Sequence, residues 1–301
     1  MSPRPKLISL DVGDAELGAL HWPSDDLAAP TVVAVHGITA NAWHWDLVAH
    51  RLAGDVSLVA VDLRGRGRSH EQPAPVGMRQ HADDIARVIT EIGEPGQPLL
   101  VVGHSMGCYV ALMVAERHPR SVADVVLVDG GTRLAVPPDA DVDDVLDQML
   151  GPAIDRLRTT WPDRVAYRTM WAQHPAYSDG IGVNLERNLL ADLVEVEGGF
   201  RTAVNEEAVR VDGRELLADE EIRSLLERRS TRTTIVRSPN GLLGGPPPLI
   251  PDETVAALDR HDWHTVDETN HYTVLLGTRG AEVVADQIRS TAGLTSSESR
   301  P

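Results

Sequence analysis

Cysteine is nearly absent. Cys108 is the only one in 301 residues, so no intramolecular disulfide can form and a reducing, cytoplasmic setting is expected. Lysine is equally scarce, Lys6 standing alone among cations that are otherwise arginine. Acids outnumber bases so far that the formal net charge is −17. That balance argues against nucleic acid, anionic membrane surfaces and polyanionic substrates, all of which are bound through basic patches. No apolar run reaches the roughly 18 residues of a membrane span, and Met1-Ser2-Pro3-Arg4-Pro5-Lys6 contains no apolar signal region, so neither span nor leader is expected. Metal-ligand spacing is missing too. Asp139, Asp141 and Asp143 are spaced as in a calcium loop, but Asp144 stands where that loop needs glycine and Leu150 where it needs glutamate, so a solvated helix start is the better account. His261-Asp262-Trp263-His264 has no further ligand nearby in sequence. No metal and no cofactor are expected.

What the chain does contain is a 42% hydrophobic fraction, enough for one large core and a second small lobe. Two extended segments around Gly13-Asp14 predict a hairpin over residues 7–22. Apolar strands near 31–36, 57–62, 98–103, 122–128, 233–238 and 263–267 then alternate with helical segments near 41–53, 79–92, 106–117, 251–259 and 279–290. This rhythm predicts an α/β fold, a mostly parallel, doubly wound sheet with its site at the strands' carboxyl ends. Gly65-Arg66-Gly67 lacks the spacing of a phosphate loop and reads as a tight turn. Cys108 reads as a small apolar core residue.

The most informative stretch is Gly103-His104-Ser105-Met106-Gly107, entered from the apolar run Leu99-Leu100-Val101-Val102 and left through a helical run from Cys108 to Arg117. A Gly-x-Ser-x-Gly turn between strand and helix is a nucleophile elbow: the serine is held in a strained conformation, and glycine flanks it so that the chain can double back without a Cβ clash. Ser105 is therefore the candidate nucleophile, and the N–H of Met106, at a helix start, a candidate oxyanion donor. Thr31–Val35 ends in His36-Gly37-Ile38-Thr39, which makes the N–H of Ile38 the second donor. Near the end, the strand-like Trp263–Asp267 precedes Asn270-His271-Tyr272-Thr273, placing His271 as general base on a loop before the final helix.

With these residues in view, the chain resembles the α/β-hydrolase superfamily, in the branch that carries an inserted cap. The resemblance rests on His36-Gly37, on Asp62-Leu63-Arg64-Gly65-Arg66-Gly67-Arg68-Ser69, on the Gly103–Gly107 elbow and on His271, and covers about residues 7–290. It implies acyl transfer from a carboxylic ester, lactone or thioester through an acyl-enzyme. Hydrolysis of a carbon–carbon bond beside a ketone, which similar capped proteins perform with Ser and His, is the alternative. Serine at the elbow argues against dehalogenase and epoxide hydrolase chemistry. In the commonest family pattern the triad acid follows the strand after the cap, but here Thr233–Ser238 runs into Pro239-Asn240-Gly241-Leu242-Leu243-Gly244-Gly245, with no carboxylate. Some branches take the acid from the end of the strand after the elbow helix, which is Asp129 here. Asp129, Asn240, no true acid, or another carboxylate all remain open, and the missing acid keeps alive a non-hydrolytic, ligand-binding reading. An Asp-Gly turn is also an ordinary structural use of Asp129.

Between Thr132 and Ser230 the strand–helix rhythm stops and only helical segments are expected. Residues 132–230 are thus the expected cap, with core parts at 1–131 and 231–301 and a disordered tail from about 291. Aromatic residues make up 4% of the chain, yet Trp161, Tyr167, Trp171, Tyr177 and Phe200 fall in this segment. Tyr167 and Trp171 are four apart and share a helix face, either roofing an apolar substrate pocket or gluing cap helices together. Trp43 and Trp45, just past the Ile38 loop, are expected to line the pocket. The expected partner is a small apolar acyl substrate, and the sequence leaves the oligomeric state open.

Overall fold

The computed structural model describes residues 4–72, 75–177 and 183–294. The strands are β1 (Lys6–Asp11), β2 (Glu16–Trp22), β3 (Thr31–Val35), β4 (Ser57–Val61), β5 (Leu99–His104), β6 (Val122–Val128), β7 (Leu193–Val196), β8 (Gly199–Thr202), β9 (Thr234–Arg237) and β10 (Asp262–Thr265). The helices are α1 (Asp46–Leu52), α2 (Met78–Ile92), α3 (Met106–Arg117), α4 (Val142–Arg158), α5 (Arg164–Ala172), α6 (Val183–Leu190), α7 (Glu206–Ala218), α8 (Glu220–Arg223), α9 (Leu225–Arg228), α10 (Asp252–Ala257), α11 (Thr273–Leu276) and α12 (Thr278–Thr291). Most of the expected tail lies outside the described residues.

The main sheet has the order β1-β2-β4-β3-β5-β6-β9-β10. Its β1–β2 and β2–β4 pairs are antiparallel and every other pair is parallel. Because successive strand residues point to opposite faces, each strand feeds two cores. Val33, Val35, Val59, Val61, Val101 and Leu127 join the core beneath α2 and α3. Their sequence neighbours Val32, Ala34, Leu58, Ala60, Val102 and Val126 join the core beneath α1 and α12. This explains why the strands read as continuous apolar runs: a sheet buried on both faces has no polar side to alternate with. The chain moves outward from β3 to β4 and then returns to the other side of β3 with β5. That switch in strand order opens a crevice at the carboxyl ends, where α/β sheets bind ligands.

The segment between β6 and β9 departs from the expectation of helices alone. It contains the antiparallel β7–β8 hairpin, two four-residue strands turning at Glu197-Gly198. Such short strands give too little alternation to register against their helical surroundings. Tyr167, Trp171, Tyr177, Leu189 and Leu193 form a separate small core with Leu276. From α7 onward the packing changes, and Leu216, Leu217, Ile222, Leu225 and Leu226 belong to the core under α2 and α3. The Asp139–Asp147 run opens α4, with the Asp141 carboxylate accepting the N–H groups of Asp143 and Asp144 at 2.9 and 3.2 Å.

Candidate active site

Ser105 sits between β5 and α3 with φ +53° and ψ −119°, a region that non-glycine residues rarely occupy. The flanking glycines follow from close approach. A Cβ on Gly103 would lie 2.2 Å from the Gly107 carbonyl oxygen, and one on Gly107 would lie 2.2 Å from that of Val35. The Ser105 N–H donates to the Val128 carbonyl at 2.9 Å, tying the elbow to the end of β6. Cys108 is buried just behind, its thiol directed at the carbonyls of Gly103 and Val128, and burial pushes that thiol far up from its ordinary range. The group is therefore no nucleophile.

Ser105 Oγ lies 3.1 Å from Nε2 of His271, and Nδ1 of His271 lies 2.7 Å from Oδ2 of Asp129. Asp129, at the end of β6, is fully buried with φ +47°, and its Oδ1 accepts the Ser238 N–H at 3.1 Å. Of the candidates for the acid position, Asp129 is thus the one against the imidazole. Asn240 instead donates through Nδ2 to the Thr269 carbonyl at 2.9 Å, bracing the loop that precedes His271. The same loop is held by Asn270, whose Oδ1 accepts the N–H groups of Tyr272 and Thr273 at 3.0 Å each. Nε2 of His104 reaches the His271 carbonyl at 2.9 Å. Burial holds the His104 imidazole well below its ordinary pKa, so it stays neutral beside His271.

Ile38 and Met106 both border the cavity above Ser105. Among the described residues, neither N–H has a hydrogen-bond acceptor. The loop carrying Ile38 is anchored from below by Arg66, a fully buried arginine. Its Nε donates to the Ile38 carbonyl at 3.0 Å and its Nη1 to that of Arg64 at 3.0 Å, while Nη2 lies 2.6 Å from the Asp212 carboxylate on α7. Nε2 of His81 on α2 lies 3.1 Å from the same oxygen. Burial alone would raise the Asp212 carboxyl, but Arg66 and His81 outweigh it and hold the group below its ordinary value. Asp62 of the same turn accepts the N–H groups of Ala42 and Arg68 at 2.7 and 3.1 Å, and burial pushes its carboxyl up to about 6. The Asp62–Ser69 motif is therefore a scaffold for the Ile38 loop. Removing one half of a buried ion pair strands the other, so Asp212→Ala is expected to cost about 3–5 kcal/mol in urea unfolding. Arg66→Met with Asp212→Leu should recover most of that stability; a double variant no more stable than Asp212→Ala would refute the stranded-charge account.

The cavity over Ser105 and His271 measures about 380 Å³ and is walled largely by apolar side chains, among them Met149, Leu150, Met170, Trp171, Leu216 and Leu242. Of the pair left open between pocket and packing, Trp171 lines the cavity and Tyr167 does not; Trp43 and Trp45, expected to line it, do not either. Residues 42–45 form a single 3-10 turn in which His44, not its neighbours, faces the cavity. Trp45 is wholly buried in the core under α1 and α12, and Trp43 packs edge-on to Trp22 beneath the Arg187 guanidinium. Three residues per turn spread consecutive side chains around the axis, so 43 and 45 cannot share the direction of 44. Tyr167 is also fully buried away from the cavity, between Trp161 and Trp171, its hydroxyl donating to Asp192 at 3.1 Å. It packs the insert's own core. Arg156, His174 and Asp192 complete the polar part of the wall, none of them singled out from sequence. Among the described residues, no cluster of three or more His, Cys, Asp or Glu side chains is arranged to hold a metal ion.

The model of the alpha/beta hydrolase family matches residues 32–287, a span that includes the elbow, Asp129 and His271. The chain belongs to the α/β-hydrolase family. As an α/β-hydrolase it is similar to lipase LipV of Mycobacterium tuberculosis, with 30% identity over 230 residues, 76% of this chain and 80% of the relative. Among solved structures, E-2-(acetamidomethylene)succinate hydrolase superposes with a TM-score of 0.76 at 21% identity, covering 96% of this chain and 99% of the other. The thioesterase domain from the curacin biosynthetic pathway gives a TM-score of 0.66 at 23% identity over 94% and 98% of the two chains. At these identities the two structures speak to fold alone. Among the described residues, no helix of this hydrolase is long and apolar enough to cross a membrane.

Proposed function

We propose that this α/β-hydrolase is a serine hydrolase that cleaves a carboxylic ester, lactone or thioester of modest size through an acyl-enzyme. The observation that carries the reading is the relay from Ser105 Oγ through His271 to Asp129, at 3.1 and 2.7 Å, opening on an apolar cavity. Ser105 Oγ attacks the carbonyl carbon as its proton passes to Nε2 of His271. The oxyanion that develops is held by the N–H groups of Ile38 and Met106. Collapse expels the alcohol or thiol, which takes the proton from His271. Water then gives a proton to the same nitrogen and attacks the acyl carbon, and the second collapse returns the proton to Ser105 and releases the acid. Asp129 keeps Nδ1 protonated and stabilises the imidazolium in both halves. The similarity to a protein named as a lipase supports an ester substrate. A non-hydrolytic reading drew its motive from a turn without a carboxylate, and Asp129 on His271 removes that motive.

The test is a panel of activated short and medium acyl esters, lactones, thioesters and vinylogous diketones. Turnover of at least one acyl substrate, with a burst of leaving group stoichiometric with enzyme where deacylation is slow, is the expected result. Turnover of the diketones alone would replace this reading by carbon–carbon hydrolysis. The insert is proposed to act as a cap that sets chain-length selectivity, with Trp171 as the side chain facing the substrate. Trp171→Leu is expected to shift the ratio of kcat/KM for medium over short acyl chains by about tenfold, the scale of a lost apolar contact. An unchanged ratio would leave Trp171 a packing residue only.

A further inference from the structure

The cavity wall contains one guanidinium that has no ion-pair partner among the described residues. Arg156 lies in the last turn of α4, lines the cavity that holds Ser105 and His271, and stacks its guanidinium 4.6 Å from the centre of the Trp171 ring. Among the described residues, no carboxylate lies within ion-pairing distance of it, and its buried Nε has no hydrogen-bond partner. Other inward-facing arginines behave differently. Arg66 is paired with Asp212 and Arg64 with Asp84, as the cost of desolvating a cation requires.

The surroundings answer this charge only at a distance: burial raises the Asp192 carboxyl to about 6, and Arg156 counters part of that rise without forming an ion pair. Asp192 is the one carboxylate on the same wall, and its two oxygens are taken by Nδ2 of Asn41 and the hydroxyl of Tyr167. His44 is driven down to about 4 by burial and then by Arg156, and His174 is lowered by the same two causes, so both are neutral near pH 7. Tyr177 and Tyr272, also on the wall, feel the guanidinium as well. Arg156 is thus the permanent cation of a largely apolar chamber, clamped in place by Trp171 and short of an acceptor.

We infer that the substrate carries a carboxylate remote from its scissile carbonyl, and that Arg156 binds it. The inference rests on the hydrolase reading for the word substrate, and it narrows that reading to apolar acyl compounds with one anionic end. A guanidinium meets a carboxylate with paired N–H donors, and in a chamber this apolar a charge-assisted bond discriminates against a neutral isostere by about tenfold or more. One carboxylate suffices. A polyanion would meet both the net charge of −17 and Asp192.

The test uses substrate pairs of matched size. On the acyl side, 4-nitrophenyl hemiglutarate is compared with 4-nitrophenyl valerate; on the leaving-group side, 3-carboxyphenyl butyrate is compared with 3-tolyl butyrate. The expected result is that the anionic member of at least one pair has a kcat/KM about tenfold or more above its neutral partner. In Arg156→Gln that ratio should fall by about tenfold or more, and in Arg156→Lys by less, because the charge stays while the paired donors are lost. Indifference or preference for the neutral ester in both pairs of the wild type overturns the inference, as does a ratio that Arg156→Gln leaves unchanged. A merely structural role, such as holding Trp171, would lower both members of a pair alike. Valerate binding to Ser105→Ala, measured by calorimetry with and without Arg156→Gln, separates the two readings. If no ester is turned over but valerate binding depends on Arg156, the hydrolase reading fails and the anion subsite stands. If esters are turned over with neutral preference, the reverse holds.

Discussion

Ser105→Ala is expected to lower kcat/KM by about 10⁴- to 10⁶-fold on any ester the protein turns over, the scale seen when the nucleophile of such a relay is removed. The loss should fall on kcat, because the hydroxyl takes part in bond making and contributes little to holding the substrate, whose contacts lie along the cavity wall. Stability should barely change. Among the described residues Oγ hydrogen-bonds to His271 alone, while the elbow backbone is held by Gly103, Gly107 and the Ser105 N–H bond to Val128, all of which survive in alanine. A fluorophosphonate should add a single adduct to the wild-type protein and none to Ser105→Ala, read by intact mass. Residual activity above about a hundredth of wild type would move the nucleophile elsewhere, since water-level catalysis by the oxyanion donors cannot sustain it.

The sheet was legible because its information is local. Apolar runs of five to seven residues ending at His36, Asp62, Ser105 and Asp129 reveal buried parallel strands, and the helices between them carry their own period. The elbow was legible for a different reason. Close approach of backbone to backbone forces glycine at 103 and 107, so geometry is written in residue identity. The β7–β8 hairpin was not, because four-residue strands carry too little pattern. Side-chain direction was the main loss. Trp43, Trp45 and Tyr167 are aromatic and near the site in sequence, but whether a ring faces cavity or core depends on the phase of a 3-10 turn or on an insert packing against itself. Arg66 and Arg156 were illegible for the opposite reason, since nothing in sequence separates a buried arginine from the many on the surface. The partner of Arg66 is Asp212, on a helix across the insert, and Arg156 is distinguished only by having no ion-pair partner among the described residues.

Asp129→Asn is the second large effect, and it tests the position at which the chain departs from its family's commonest pattern. Asparagine tolerates positive φ about as well as aspartate, so the +47° backbone at the end of β6 is kept, and the amide oxygen can still accept the Ser238 N–H. What is lost is charge and tautomer. An amide nitrogen facing Nδ1 of His271 would drive the imidazole proton to Nε2, where it blocks removal of the Ser105 proton, and the imidazolium of the transition state would lose its counter-charge. A fall of about 10⁴ in kcat is the expected result, with an unfolding midpoint close to wild type. Asn240→Ala should cost less than about tenfold, because Asn240 only braces the Thr269 carbonyl, and a slightly loosened loop misplaces His271 without changing its chemistry. If Asn240→Ala proved the more damaging of the two, the acid would have to be sought elsewhere. Adding Asn240→Asp to Asp129→Asn sharpens the contrast. The new carboxylate would face a carbonyl oxygen at Thr269 and not the imidazole, so no rescue is expected; recovered activity would mean that this loop can swing its side chain onto His271.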